Sequence, residues 1–192
     1  MILPIVAYGD PILRKVAADI DKDYPDLEQF IADMFETMDN ARGVGLAAPQ
    51  VNKSIRLFIV DTSPFADNDE FSPEEQEPLK DFKRIFINAK IVKEDGDEWA
   101  FNEGCLSIPN INEDVFRQPD IKMEYLDEHF EKHTETFTGL IARVIQHEYD
   151  HIEGVLFTDR ISSLKRRLIR KKLDNISKGI VDVDYRMKFP KK

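Results

Sequence analysis

Gln146-His147-Glu148-Tyr149-Asp150-His151 is the stretch from which the rest of this chain can be read. On a helix, residues four apart lie on one face a turn apart, so the imidazoles of His147 and His151 can reach one cation. Glu148 lies about 60° around the axis from His151 and can address a water beside that cation without ligating it. In a chain with only 4 histidines, this pattern arises by accident in fewer than about one sequence in a hundred. The flanks favour a helix. Thr138-Gly139 supplies a start, Leu140, Ile141, Val144 and Ile145 an apolar stripe, and Gly154 a stop. The bland alternative is a pair of histidines satisfied by hydrogen bonds in an ordinary helix.

Two histidines do not complete a hydrolytic metal site, which needs a third protein ligand and one open position. One large protease group supplies that ligand six residues on, in the pattern HExxHxxGxxH. Here Gly154 is present but Phe157 stands in the ligand slot, which excludes the simple metallopeptidase reading. Cys105, the only cysteine, rules out an intramolecular disulfide. It lies in Glu103-Gly104-Cys105-Leu106-Ser107-Ile108-Pro109, where the glycine and proline mark irregular or edge backbone. A lone cysteine is ordinarily a small buried hydrophobe. His129 and His133 are rival ligands in the polar stretch Asp127 to Thr136, which reads as a solvated turn and strand.

Upstream, Leu27, Phe30, Ile31, Met34 and Met38 repeat at helical spacing after Pro25 and predict a helix. It leads into Gly43-Val44-Gly45-Leu46-Ala47-Ala48-Pro49-Gln50. This segment is not a phosphate cradle. It lacks both GxGxxG and GxxxxGK[ST], and no strand plainly precedes it. Two glycines around one residue let backbone come close to a ligand.

Three segments, Gly43 to Gln50, Glu103 to Pro109 and Gln146 to Gly154, resemble in order and spacing the signature motifs of the peptide deformylases. The similarity extends from Gly9-Asp10-Pro11 to about Ser163. The resemblance implies that Cys105, His147 and His151 hold a metal with water in the fourth position. That metal would be iron(II) in the cell, with zinc, nickel or cobalt also accepted. It implies attack of metal-bound hydroxide on the formyl carbon of an N-formylmethionyl nascent peptide, with Glu148 as general base and then acid. Gln50 and the Leu106 backbone N–H would serve the oxyanion. Gly43, Val44, Gly45 and Gly104 would pair with the extended substrate, and its methionine would enter a pocket near Val44, Leu140 and Val144. Leu140 and Val144 equally suit core packing, and Gln50 an ordinary loop amide. Glu103 and Asp150 are either partners of the ligand groups or structural ion pairs with Arg117 or Arg143.

With 192 residues, 42% of them hydrophobic and 33% charged, the chain suits one globular α+β domain over residues 1–192. Strands are expected at Ile55 to Val60, Arg84 to Val92, Trp99 to Asn102 and Ile121 to Leu126. The resemblance implies antiparallel sheets around the metal-bearing helix. No segment approaches the roughly 20 apolar residues that cross a bilayer. The opening Met-Ile-Leu-Pro has no basic region and is not expected to be a secretory signal. A metal thiolate without disulfides suits a reducing bacterial cytoplasm.

The net charge of −10 disfavours free DNA as a partner. It is unevenly spread. Residues 61–82 carry eight acids and one lysine, with Pro64, Pro73 and Pro78 interrupting any helix, and are expected to form an exposed or partly disordered insertion. Residues 160–192 carry twelve bases and three acids. They predict a basic helix over 162–178 with Leu164, Leu168, Leu173 and Ile176 facing inward. Some deformylases dock on the ribosome through such a helix, which makes the ribosome a candidate partner. Beyond it, Val181, Val183, Tyr185, Met187 and Phe189 alternate with polar residues and predict a strand over 180–189. A ribosome- or metal-binding protein without activity is the non-enzymatic alternative.

Overall fold

The structure, a computed structural model, describes residues 1–66, 68 and 71–190. Its organising element is helix α3, Gly139–Ile152. Gly139 and Gly154 bracket it with φ of +57° and +71°, left-handed values that glycine adopts without a steric penalty. Thr138 precedes the helix, but its side chain makes no capping bond. The Gly139 N–H instead donates to the Pro119 carbonyl at 3.0 Å. Most of α3 is buried, its polar residues Arg143, Gln146, Glu148, Asp150 and His151 included, so it is a core helix and not a surface one.

On one side α3 meets an antiparallel sheet in the order β2 (Gly45–Ala47), β3 (Leu57–Asp61), β4 (Lys83–Asp95), β7 (Asp120–Leu126), β8 (Lys132–Thr138). Phe58, Phe86, Met123 and Tyr125 of the sheet pack with Ala142, Val144 and Ile145 of the helix. The other face of β2 and β3 is covered by α1, Leu27–Asn40, through Ile31, Met34 and Met38. That two-sided cover explains why Leu57 to Val60 is an unbroken apolar run and does not alternate. A separate hairpin, β5 (Trp99–Cys105) and β6 (Ile108–Arg117), carries Glu103 to Cys105 to the other side of the helix. The class is α+β. Among the described residues no helix is long and apolar enough to cross a membrane.

Three expectations need correction. The basic helix α4, Ser163–Ser177, buries Ile169, Leu173 and Ile176, whereas Leu164 and Leu168 are 63% and 73% exposed. Its rotation is set by polar clasps at its start. Arg166 donates to the carbonyls of Thr158 and Asp159, each at 2.9 Å, and Lys165 pairs with Glu113 at 3.1 Å.

The predicted terminal strand shrinks to β9, Met187–Lys188, paired in parallel with β1, Ile5–Val6. Val181, Val183 and Tyr185 are half-buried and Asp182 and Asp184 exposed, so the alternation is real. The Asp182 carbonyl, however, is met by the Asn110 side-chain amide and not by a strand ladder.

Within 61–82, residues 67, 69 and 70 lie outside the described residues. Pro73 does not interrupt a helix but opens one, α2 (Pro73–Gln76), capped by Ser72 and Glu75. Apolar residues anchor the segment, with Ala66 and Leu79 buried against Leu140 beside Phe65 and Phe71.

Candidate metal centre and active-site cleft

Two elements supply the chemistry. Helix α3 presents His147, Glu148 and His151, and the end of β5 brings Cys105 against them. Cys105 Sγ lies 3.4 Å from His151 Nε2, and one donor atom each from Cys105, His147 and His151 fall within 4.8 Å of one another. A slip in the β5–β6 register between Glu103 and Cys105 turns the sulfur towards the helix.

Glu103 is itself part of the site. His147 Nδ1 lies 2.9 Å from its Oε2; as the Nδ1–H tautomer the ring donates to that carboxylate and offers its Nε2 lone pair to a cation. The Glu103 carboxylate is held by Arg117 at 2.7 and 3.0 Å and by Arg143 at 3.1 Å. Burial would raise its pKa, but Arg117 and His147 hold it well below the usual carboxylate range. Arg117 also donates to Asp150 at 2.8 Å, which Arg160 grips with two bonds. Glu103 therefore both orients a histidine and forms an ion pair. Asp150 is a pure ion-pair residue.

Glu148 is buried and opposed by backbone. A Cβ added to Gly45 would lie 2.5 Å from Glu148 Oε1, so only glycine lets β2 pass so close. Burial pushes the Glu148 pKa up to about 7, against the pull of His147. Its Oε2 and His151 Nδ1 are buried with no partner among the described residues. Burial likewise pushes the His151 imidazolium pKa well down, so His151 is a neutral donor. His147 is raised in spite of its burial, by Cys105 and Glu103.

Gln50 is 2% exposed. Its Oε1 accepts the Ala47 N–H at 2.9 Å, which aims Nε2 at Cys105 Sγ (3.5 Å) and Ser107 Oγ (3.2 Å). The Leu106 carbonyl accepts the Tyr185 hydroxyl at 2.8 Å, and the Leu106 side chain crosses to Gly43, where an added Cβ would meet it at 2.8 Å.

These groups open onto a cavity of about 840 Å³ whose walls include Gly43, Val44, Gly45, Gly104, Leu106 and Val144. Leu140 is not on its wall but packs behind it with Ala66 and Leu79. Phe157 is buried and stacks on the His147 ring with centroids 6.2 Å apart; it is packing, not a ligand. His133 and Asp127 form a pair at 2.7 Å on the β7–β8 turn. There the other Asp127 oxygen accepts the backbone N–H groups of His129 and Glu131.

The cavity also contains residues that local sequence reading missed. Phe65 and Phe71 come from the acidic segment, Phe101 from β5, Arg143 from α3 and Asp182 to Tyr185 from the C-terminal tail. Only the alternation at 181–189 hinted at the last group.

The donor set is one thiol and two imidazoles on rigid elements, with a buried, unpartnered carboxylate oxygen beside them. It fits a divalent cation with an open coordination position. A profile of the polypeptide deformylases matches residues 2–167. The chain belongs to that family. It is 64% identical over 190 residues to a peptide deformylase of Christiangramia forsetii, covering 99% of this chain and 97% of the relative. It is 66% identical over 189 residues to one from Flavobacterium johnsoniae, covering 98% and 96%. A crystal structure of a peptide deformylase from Legionella pneumophila superposes with a TM-score of 0.78 at 37% identity, covering 93% of this chain and 97% of that one. The chain is thus a hydrolase of a metal-dependent family whose activity is removal of formyl groups from peptides. Residues beyond 167, including the tail at the cavity, lie outside the family profile.

Proposed function

We propose that this deformylase removes the formyl group from the N-terminal formylmethionine of newly made proteins in the bacterial cytoplasm. Cys105, His147 and His151 would hold the cation, iron(II) in the cell by the family resemblance, with zinc, nickel or cobalt also suited to the donors. Bound there, a divalent ion supplies Lewis-acid chemistry, bringing the pKa of water down to about 7 as catalytic zinc does. The observation that carries the reading is the meeting of Cys105 with the two α3 histidines beside Glu148 on the cavity floor.

The chain's own groups divide the remaining work. Glu148 takes the proton of the attacking water and gives it to the departing amine, a task suited to a buried carboxylate beside the reacting atoms whose burial raises its pKa in the absence of the cation. A cation alongside favours the carboxylate form and moves that pKa down. Gln50, pinned by Ala47, and the Leu106 N–H stabilise charge developing on the formyl oxygen. Losing one such donor costs about 2.7–4 kcal/mol of transition-state stabilisation. Gly43 to Gly45 and Gly104 let an extended peptide lie against backbone, while Val44 and Val144 offer the methionine an apolar wall. Leu140 supports that wall from behind.

Nascent chains would be reached by docking on the ribosome through the exposed bases of α4. Arg166 and Lys165 are engaged within the fold, which leaves Arg167, Arg170 and Lys171 to meet RNA phosphates. Charge reversal at those three positions should abolish cosedimentation with ribosomes; unchanged binding would remove the docking idea. The activity itself is tested with formyl-Met-Ala-Ser beside the unblocked peptide. Formate release is expected from the first alone. Glu148→Ala should keep its metal and lose turnover, and normal turnover by that variant would overturn the proton-relay role.

A further inference from the structure

The tail that follows α4 returns to the cleft and crosses it. The Asn110 side-chain amide, on β6, donates to the Asp182 carbonyl at 3.0 Å. On the opposite lip, at the α1–β2 turn, Arg42 forms an ion pair with Asp184. Between them the Tyr185 hydroxyl donates to the Leu106 carbonyl. Both ends of the crossing are fixed, by α4 before it and by the Ile5 N–H on the Arg186 carbonyl after it at 2.8 Å. An exposed ion pair such as Arg42–Asp184 contributes little alone, but here it closes a strap already tied at both ends.

We propose that this strap builds a subsite for the residue following methionine in the substrate, and that Val183 and Tyr185 make the subsite selective for an apolar side chain. The inference rests on the deformylase reading above, which fixes the direction of the peptide. Gly45 lies over Glu148, at the reacting end; Gly43 faces Leu106; Arg42 stands at the rim. A chain laid along Gly45 to Gly43 therefore runs outward towards Arg42. Each extended residue advances about 3.3 Å, which brings the one after methionine level with the strap. The surface it meets there is Val183, the Tyr185 ring and Leu106, all lining the cavity.

The test compares kcat/KM for formyl-Met-Leu-Ser and formyl-Met-Gly-Ser. Half-burying a leucine side chain is worth about tenfold in favour of the leucine peptide. In Val183→Ser/Tyr185→Ser that ratio should fall to about twofold. Should the double variant fail to fold, Val183→Ser alone should lower the ratio, and Tyr185→Phe, which keeps the ring, should speed hydrogen exchange of the amides at 181–185. Equal use of both peptides by the parent, or a ratio unchanged in the serine variants, would overturn the strap's role while leaving deformylation standing. No formate from either peptide would instead sink the reading on which it rests.

Discussion

Gly45→Ala isolates the crowding between β2 and Glu148. Gly45 is not among the residues at positive φ, so alanine brings no backbone strain and adds one methyl. That methyl would lie 2.5 Å from Glu148 Oε1 and 2.7 Å from its Cγ and Cδ, where ordinary contact begins at 3.4 Å. Gly45 is paired to Val60 in the sheet, and β2 is packed between two layers, so the backbone has little room to retreat. The carboxylate must yield by about 0.9 Å. Displacing a catalytic group by about 1 Å costs on the order of a hundredfold in rate, and overpacking of this kind costs about 1–3 kcal/mol of stability. We expect formate release to drop by about two orders of magnitude, while metal content stays at the parent level and the Tm falls only modestly. Activity within about threefold of the parent would refute the placement of Glu148 as the proton carrier.

Other consequences are as direct. Cys105→Ala removes the only sulfur ligand and should lose its metal on dialysis, measured by metal analysis; full retention would point to another ligand set. Arg117→Leu strips a shared partner from the buried carboxylates Glu103 and Asp150 and should cost about 3–5 kcal/mol. Its urea midpoint should fall, and an unchanged midpoint would contradict the network. Asp159 is partly buried, but Arg14 and the Leu156 N–H hold its pKa below 3.8. A depressed carboxylate stabilises the fold above its unfolded pKa and loses that contribution as pH falls through the folded value. Asp159→Asn should therefore be less stable than the parent at pH 7, with the gap closing as pH falls through the lowered pKa of the folded carboxylate. A gap that persists in acid would show the effect is not ionic.

The helix bearing the paired histidines was legible because its periodicity, its glycine stop and its metal spacing all point the same way. Strands β3, β4, β5 and β7 were legible as apolar or alternating runs. β6 was not, because Ile108 to Arg117 mixes core residues with asparagines and acids that face the cleft or solvent. The inward face of α4 was misread, since Leu164 and Leu168 fit the same helical period as Ile169 and Leu173. The choice between stripes was made by Arg166 gripping the carbonyls of Thr158 and Asp159 just upstream and by Lys165 pairing with the remote Glu113, neither of which the helical period can reveal. Cys105 could be joined to the histidines only through family resemblance, since it lies 42 positions before His147. The strap at 181–185 was visible as alternation but not as a wall of the cleft, because its partners Arg42, Leu106 and Asn110 are remote in sequence.

The measurement that bears most directly on the account is anomalous scattering from crystals of protein grown and purified without oxygen. The account predicts one strong peak within about 2.0–2.4 Å of Cys105 Sγ and one ring nitrogen each of His147 and His151. A peak at Asp127 and His133, or an ion on the two histidines with the sulfur outside bonding distance, would contradict it.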